Sequence, residues 1–325
     1  MLKNTRLPLC LATGILLAGL ISVPAAKNEA AADPSKADAD YAFQGEYAGV
    51  LADQFDVGAQ VIALGGGKFR LVLYPGGLPG AGYDGAAEKR QYDGARDGDT
   101  VTFTGGTTGK SITGGKLTFS LDGQESVIDR TVRKSPTLSA KPPEGALVLF
   151  DGKSAENFKP GRMTESGLLM QGANSIKKFQ NHRLHIEFRL PYEPTKRGQA
   201  RGNSGCYMQA RYEVQMLDSF GLAGKHNECG GIYTIADPDV NMCLPPLQWQ
   251  TYDIDFTAAK YDKDGKKTAN ARATVRHNGV LIHDNIELPK RTTASPLGEG
   301  PEAGFLHLQD HGNQVRYRNI WVIEK

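Results

Sequence analysis

The chain has four cysteines among 325 residues. Cys10 lies inside an apolar N-terminal run, so Cys206, Cys229 and Cys243 are left for the body of the protein. Three is an odd number for an oxidising compartment, and the spacing does not resemble a zinc site. Charge excess is missing too. Lys and Arg number 38 against 36 Asp and Glu, a formal net charge of +2. That balance argues against nucleic acid as a partner. Long helical patterns are absent. Past the N-terminus, no apolar run is long enough to span a membrane. Pro75-Gly-Gly-Leu-Pro-Gly is not a phosphate loop, because no helix opening on Gly-Lys-Ser/Thr follows it.

What is present begins with a secretory pattern. Lys3 and Arg6 form a charged region, Leu7 to Val23 is apolar, and Val23-Pro24-Ala25 reads as a small-residue cleavage site before Ala26. Residues 1–25 therefore read as a signal peptide, with export to a periplasm or beyond. The run is long for a signal, so an uncleaved anchor is the alternative. The membrane is a partner only in that case. Residues 26–40 are rich in Ala, Asp and Lys and predict a disordered linker.

The remaining length predicts two domains. In residues 41–134, short strand patterns such as Phe69-Arg-Leu-Val-Leu-Tyr and Lys116-Leu-Thr-Phe-Ser-Leu alternate with glycine-rich turns. They describe a small β-rich accessory domain with no catalytic constellation. Residues 135–145 form a Pro-rich linker. Residues 146–325 hold cleanly alternating strands and a type I′ hairpin signal at His277-Asn-Gly-Val280. The fold class is all-β, with a C-terminal jelly-roll β-sandwich. Cys229 and Cys243 share one loop-rich segment and are expected to pair, leaving Cys206 as a buried thiol.

One stretch organises the second domain. Gly198 to Gly205 is a polar glycine loop. A strand follows in which Tyr212, Val214 and Met216 alternate with Arg211, Glu213 and Gln215. One side is apolar, and the other carries a base, an acid and an amide. Later strands show the same kind of side. If they share a sheet face, Glu187, Arg189, Arg211, Glu213, Gln215, Asp253, Asp255, His307 and Gln309 gather there. Mixed charges and amides suit a neutral, hydroxyl-rich ligand such as a sugar. Tyr207, Tyr212 and Trp249 offer flat surfaces to sugar rings or fill the core. His307 and His311 sit where a strand enters a glycine turn, a position common for site residues. Glu228, in a second polar glycine loop, is either a loop-ordering acceptor or a ligand contact.

At these residues a resemblance becomes specific. Leu149-Phe-Asp-Gly, Glu187-Phe-Arg, Gly202-Asn-Ser-Gly, Tyr212-Glu-Val-Gln-Met-Leu-Asp-Ser, Glu228-Cys-Gly-Gly-Ile-Tyr, Trp249-Gln-Thr-Tyr-Asp and Leu308-Gln-Asp-His-Gly resemble the 3-keto-disaccharide hydrolase family, related to laminarinase-like, concanavalin-type sandwiches. The likeness spans nearly all of residues 146–325. It implies cleavage of glycosides whose sugar is oxidised to a ketone at carbon 3. Such a ketone acidifies the carbon-2 hydrogen. Elimination then needs a base, a cation or metal for the enolate oxygen, and an acid for the leaving group. Candidates are Glu213 or His311 as base, Arg189 or Arg211 as enolate stabiliser, and Glu228 or Asp218 as acid. Glu187, Asn203, Gln215, His307 and Gln309 are the candidate substrate contacts. Oxygen ligands suit a calcium or magnesium ion, but no ligand-loop motif specifies one. Glu213-x-Gln215-x-x-Asp218 also resembles the Glu-x-Asp-x-x-Glu strand of laminarinase-like glycosidases, with its middle acid replaced by an amide. An ordinary glucan glycosidase and a non-catalytic carbohydrate-binding module are the competing readings.

Overall fold

The computed structural model describes residues 31–52 and 54–325, so the signal segment expected over residues 1–25 lies outside the described residues. Among the described residues, the helical pieces are three short 3-10 turns, and no helix is long and apolar enough to cross a membrane.

Eight strands of the N-terminal body form a closed meander. They are β1 (Gly45–Leu51), β2 (Phe55–Gly65), β3 (Lys68–Pro75), β4 (Arg90–Asp97), β5 (Thr100–Phe103), β6 (Gly109–Thr113), β7 (Lys116–Leu121) and β8 (Gln124–Thr131). Each pairs with the next, and β8 returns to β1, so the sheet closes into a barrel. Closure leaves no free edge. The period-2 pattern sends Tyr47, Val61, Phe69, Leu71, Val101, Phe103, Ile112 and Leu117 into one buried core.

The second body is the expected two-sheet sandwich. Its strands are β9 (Leu147–Phe150), β10 (Phe158–Lys159), β11 (Leu169–Met170), β12 (Ala173–Phe179), β13 (His182–Arg189), β14 (Ser204–Met208), β15 (Tyr212–Met216), β16 (Trp249–Thr257), β17 (Ala271–His277), β18 (Val280–Leu288), β19 (Gly304–Leu308) and β20 (Arg316–Glu324). The seven-stranded sheet runs β9-β20-β13-β16-β17-β18, with β11 also on β20. The five-stranded sheet runs β10-β12-β19-β14-β15. Leu184, Ile186 and Phe188 of one sheet meet Cys206, Met208, Val214 and Met216 of the other. Asn278 and Gly279 turn between β17 and β18 at φ 51° and 81°, as the hairpin signal requires.

The two bodies are packed against each other. Ile62, Val72 and Tyr74 of the barrel belong to the same buried cluster as the sandwich core. Of the linker expected over residues 26–40, residues 26–30 lie outside the described residues, and 31–40 are tied down. Ala31 exchanges both backbone hydrogen bonds with Tyr192, at 3.0 and 2.8 Å. The Tyr192 hydroxyl donates to Asp38 at 2.9 Å, and buried Asp40 accepts from Arg96 at 2.8 Å. The composition of this segment offers little to bury, but sandwich and barrel supply its partners.

The Pro-rich linker is docked over its first half. Ser135 and Thr251 share a hydrogen bond of 2.6 Å, and the Thr137 hydroxyl donates to Asp253 at 2.7 Å. The Ser139 amide donates to Glu187 at 2.5 Å, and the Ala140 carbonyl accepts from Asn319 at 3.0 Å. Lys141 to Gly145 is the continuous exposed run of this segment. Cleavage after Glu144 by a glutamate-specific protease is therefore expected to give two pieces that stay together. They should elute as one species from a sizing column and separate only in denaturant. Separation in native buffer would show that residues 135–140 do not hold the bodies together. A fragment starting at Ala146 would strip Glu187 and Asp253 of partners, at about 1–3 kcal/mol for each group left unpaired.

Cys206, Cys229 and Cys243 are all buried free thiols, so the expected disulfide is not formed. Cys229 and Cys243 do lie in the same buried cluster. Each thiol has its own polar partner. Cys229 Sγ meets the Tyr252 hydroxyl at 3.2 Å, and Cys243 Sγ meets the carbonyls of Leu217 and Leu244, both at 3.5 Å.

Candidate active site

Register assembles the site on the outer face of the five-stranded sheet. Tyr207 stands opposite both Glu213 and His307, Gly205 opposite Gln215, and Asn174 opposite His307. Antiparallel partners project to the same side, so these residues share one face. The face is covered, because the long connection after β15 folds back on it. Gln215 donates its amide to Gly231 at 2.9 Å, and Tyr233 donates its own to Glu213 at 3.2 Å. From another loop, Thr292 accepts the Glu213 amide at 3.1 Å. β15 is thus pinned on its open edge and its acid is shielded from bulk water.

Glu213 is the centre of this face and only 2% exposed. Burial pushes its carboxyl up to about 8, against the opposing effect of the Tyr207 hydroxyl. Burial and the neighbouring Glu213 charge hold the Tyr207 phenol far above its usual range, so it keeps its proton. Gln309 donates to that phenol oxygen at 3.1 Å. His307 lies beside it, with ring centroids 5.1 Å apart. Burial holds His307 down at about 4, so the ring is neutral near pH 7. Its Nδ1 is 2.6 Å from Asn174 Oδ1. With the amide oxygen as acceptor, Nδ1 carries the proton and Nε2 is free to accept.

An amide cluster continues the site. Gln215 donates to Gln199 at 3.0 Å, and Asn203 donates to the Gln199 carbonyl and side chain at 2.8 and 3.1 Å. Gln199 in turn donates to the Asn227 carbonyl at 2.7 Å. Two acceptors in this cluster, Gln215 Oε1 and Asn203 Oδ1, are buried without a protein partner. Buried polar atoms are nearly always satisfied, so these two mark places for donors from a hydroxyl-rich ligand.

Gly205 makes room for the acid. A Cβ at this position would lie 2.1 Å from Glu213 Oε1 and 2.7 Å from Tyr207 Cε2. Gly205→Ala is therefore expected to displace both side chains. Overpacking of this kind costs about 1–3 kcal/mol, and misplacing a reacting group by 1 Å costs roughly 10²-fold in rate. Turnover and melting temperature measured together check this. Unchanged turnover would show that Glu213 need not sit where it does.

Several residues expected on this face stand elsewhere. Strand alternation does not say which strands share a sheet, and Glu187 and Arg189 belong to β13 of the seven-stranded sheet. Burial pushes Glu187 up. His185, 3.7 Å away, and hydrogen bonds from Asn319, Arg318 and the Ser139 amide outweigh it and hold the carboxyl at about 2. Arg189 donates to the Ala32 carbonyl at 2.8 Å and lies over Trp249, with Arg318 also against that ring. Arg211 donates to the carbonyls of Gly298 and Glu302 at 2.6 and 2.9 Å and anchors that loop. Asp218 is buried in an ion pair with Arg201 at 2.6 Å. Glu228 accepts the amides of Gly224 and Lys225 at 2.6 and 3.1 Å, so it orders its own loop. His311 is exposed beyond β19. Of the expected residues, Glu213, Gln215, Asn203, His307 and Gln309 come together. Tyr207, Gln199 and Asn174 complete the group. Among the described residues, no group of three or more His, Cys, Asp or Glu is placed to hold a metal ion.

A concanavalin-type sandwich with one buried acid among amides and hydroxyls defines a carbohydrate-active class of protein. Within that class, the chain belongs to the family of 3-keto-alpha-glucoside-1,2-lyase-like domains, whose profile matches residues 145–323. A crystal structure from Parabacteroides distasonis, provisionally described as a glycosyl hydrolase, is similar at 31% identity and a TM-score of 0.51, covering 56% of this chain and 85% of that one. Another from the same organism, with the same description, aligns at 19% identity and a TM-score of 0.42, covering 56% and 94%. No curated protein matches the chain.

Proposed function

We propose that the sandwich cleaves 3-keto-glycosides by elimination across carbons 1 and 2 followed by hydration. The observation that carries this reading is Glu213: a buried carboxyl held near pH 8, opposite a phenol that keeps its proton. A general base works best when its pKa lies near the working pH. In the ionised form, Glu213 takes the carbon-2 proton. The C–H electron pair moves toward the carbon-3 oxygen and gives an enolate. Collapse of the enolate expels the carbon-1 substituent with the C–O bonding pair, and the protonated Glu213 or the Tyr207 hydroxyl returns a proton to it. Water then adds at carbon 1 of the unsaturated ketone. The orphaned acceptors Gln215 Oε1 and Asn203 Oδ1, with His307 Nε2, receive hydroxyl donors of the sugar.

Double displacement on an unoxidised glycoside needs two carboxyl groups about 5–5.5 Å apart across the scissile bond. The nearest candidate in sequence, Asp218, is committed to Arg201. Export belongs to the same proposal, on the strength of Lys3, Arg6 and the apolar run from Leu7 to Val23.

The test is a glucoside and its 3-keto form assayed side by side, the latter also with deuterium at carbon 2. Cleavage of the keto form alone, with a primary isotope effect and kcat/KM rising toward pH 8, is the expected result. Equal cleavage of both forms without an isotope effect would assign the chain to ordinary glycosidases. Binding without cleavage would make it a carbohydrate-binding module.

A further inference from the structure

We infer that the barrel is a second binding site, for a small amphiphilic anion with an apolar body and a single carboxylate-like head. An eight-stranded barrel is just wide enough to be filled by side chains or to hold one small ligand. This barrel does both. One end is packed by Phe69, Val101, Phe103, Ile112 and Leu117. The other end is open and holds a cavity of about 500 Å³. That volume lies in the range of small-molecule sites, and barrel mouths are a common place for them.

The lining gives the ligand class. Leu73 pairs with Arg90, and Lys110 pairs with both Phe103 and Phe119, so their side chains share the inward face with Tyr92. Leu73, Tyr92 and Phe119 form apolar walls, and Leu121 stands at the rim with 48% of its surface exposed. An inward charge among such walls is costly unless it has a use or a partner. Lys110 is 4% exposed; it donates to the carbonyls of Gly105 and Thr108 at 2.8 and 2.7 Å and lies 3.8 Å from the centre of the Tyr92 ring. It therefore orders the β5–β6 loop at the mouth and keeps a positive charge in the cavity wall. Arg90 lines the same cavity. Asp122 is the one acid among the described lining residues, which thus carry two cations against one anion. Apolar walls beneath two cations select an apolar molecule with one negative end.

The inference does not depend on the chemistry at Glu213, and its test does not read that chemistry. The probe is 8-anilinonaphthalene-1-sulfonate, an aromatic anion that fluoresces when desolvated, titrated into the full chain. Decanoate and decanol serve as competitors of matched tail. One saturable site per chain is expected, displaced by decanoate at least tenfold more readily than by decanol. Leu73→Trp fills the cavity and should remove the site. Arg90→Glu should weaken it at least tenfold. Lys116→Glu reverses an exposed charge paired with Asp129 outside the cavity and should leave it unchanged. Absence of a saturable site, equal binding in all three variants, or equal displacement by decanol would each overturn the inference. Turnover of a 3-keto-glycoside, where present, should be the same in Leu73→Trp as in the parent chain.

Discussion

A Glu213→Gln protein is expected to fold, to bind a 3-keto-glycoside and to turn it over about 10²–10⁴-fold more slowly, the usual cost of losing a general base. The amide keeps the size and planarity of the carboxyl, so it still fits over Gly205, where there is no room for a Cβ. It can still accept the Tyr207 proton. What it cannot do is take a proton from carbon. A structural acid would behave otherwise. Glu213 has no cationic partner whose loss the amide would expose, since burial and the Tyr207 hydroxyl account for its shift. Turnover on the keto substrate, read beside a binding isotherm and a melting curve, separates the two roles. Near-normal turnover would move the base to His307, whose neutral ring presents Nε2 on the same face. A rate loss accompanied by equal loss of binding would make Glu213 a sugar contact.

Strand alternation made the fold legible. Tyr212, Val214 and Met216 face the core as their spacing requires, and the Asn278-Gly279 turn closes its hairpin. Barrel closure was not legible, because β1 and β8 are far apart in sequence and nothing local marks their pairing. The candidate site was legible strand by strand and no further. Glu213 and Gln215 were found because they share a side of β15. Glu187 and Asp253 show the same pattern, yet they lie on the other sheet beneath residues 135–140. Alternation gives the side of a strand, whereas sheet membership is set by long-range pairing. Arg211, Asp218 and Glu228 have the chemistry of site residues but act on loop carbonyls, an arginine and loop amides. Tyr207 reads from its aromatic ring as a sugar-facing surface or as core; it is fully buried, on the polar side of its strand. A signal for it did exist. Gly205 is a glycine within a strand, which often marks close approach of another group. Here that group is the Glu213 carboxyl.

The second large effect is on stability, and it reports the ionisation of Glu213 without any substrate. In the unfolded chain this carboxyl titrates at its ordinary value of 4.5, and in the folded chain near 8. Below pH 4.5 both states hold the proton, so its contribution to stability is fully present. Between 4.5 and 8 the unfolded state loses the proton while the folded state keeps it. Stability then falls by about 1.4 kcal/mol per pH unit. Above 8 both states are ionised and the loss is complete. On the order of 5 kcal/mol accumulates across that window. Glu213→Gln is neutral throughout and escapes this loss, while every other titrating group is common to both proteins. The difference in unfolding free energy, variant minus parent, is therefore expected to be flat below pH 4.5, to rise steadily in favour of the variant up to about pH 8, and to level off. Urea midpoints for both proteins at pH 4, 5, 6.5, 8 and 9 measure it. Parallel curves would mean that Glu213 is ionised in the folded protein at pH 5. Water would then reach the carboxyl, and its fitness as a base poised near neutral pH would be lost along with the elimination mechanism that rests on it.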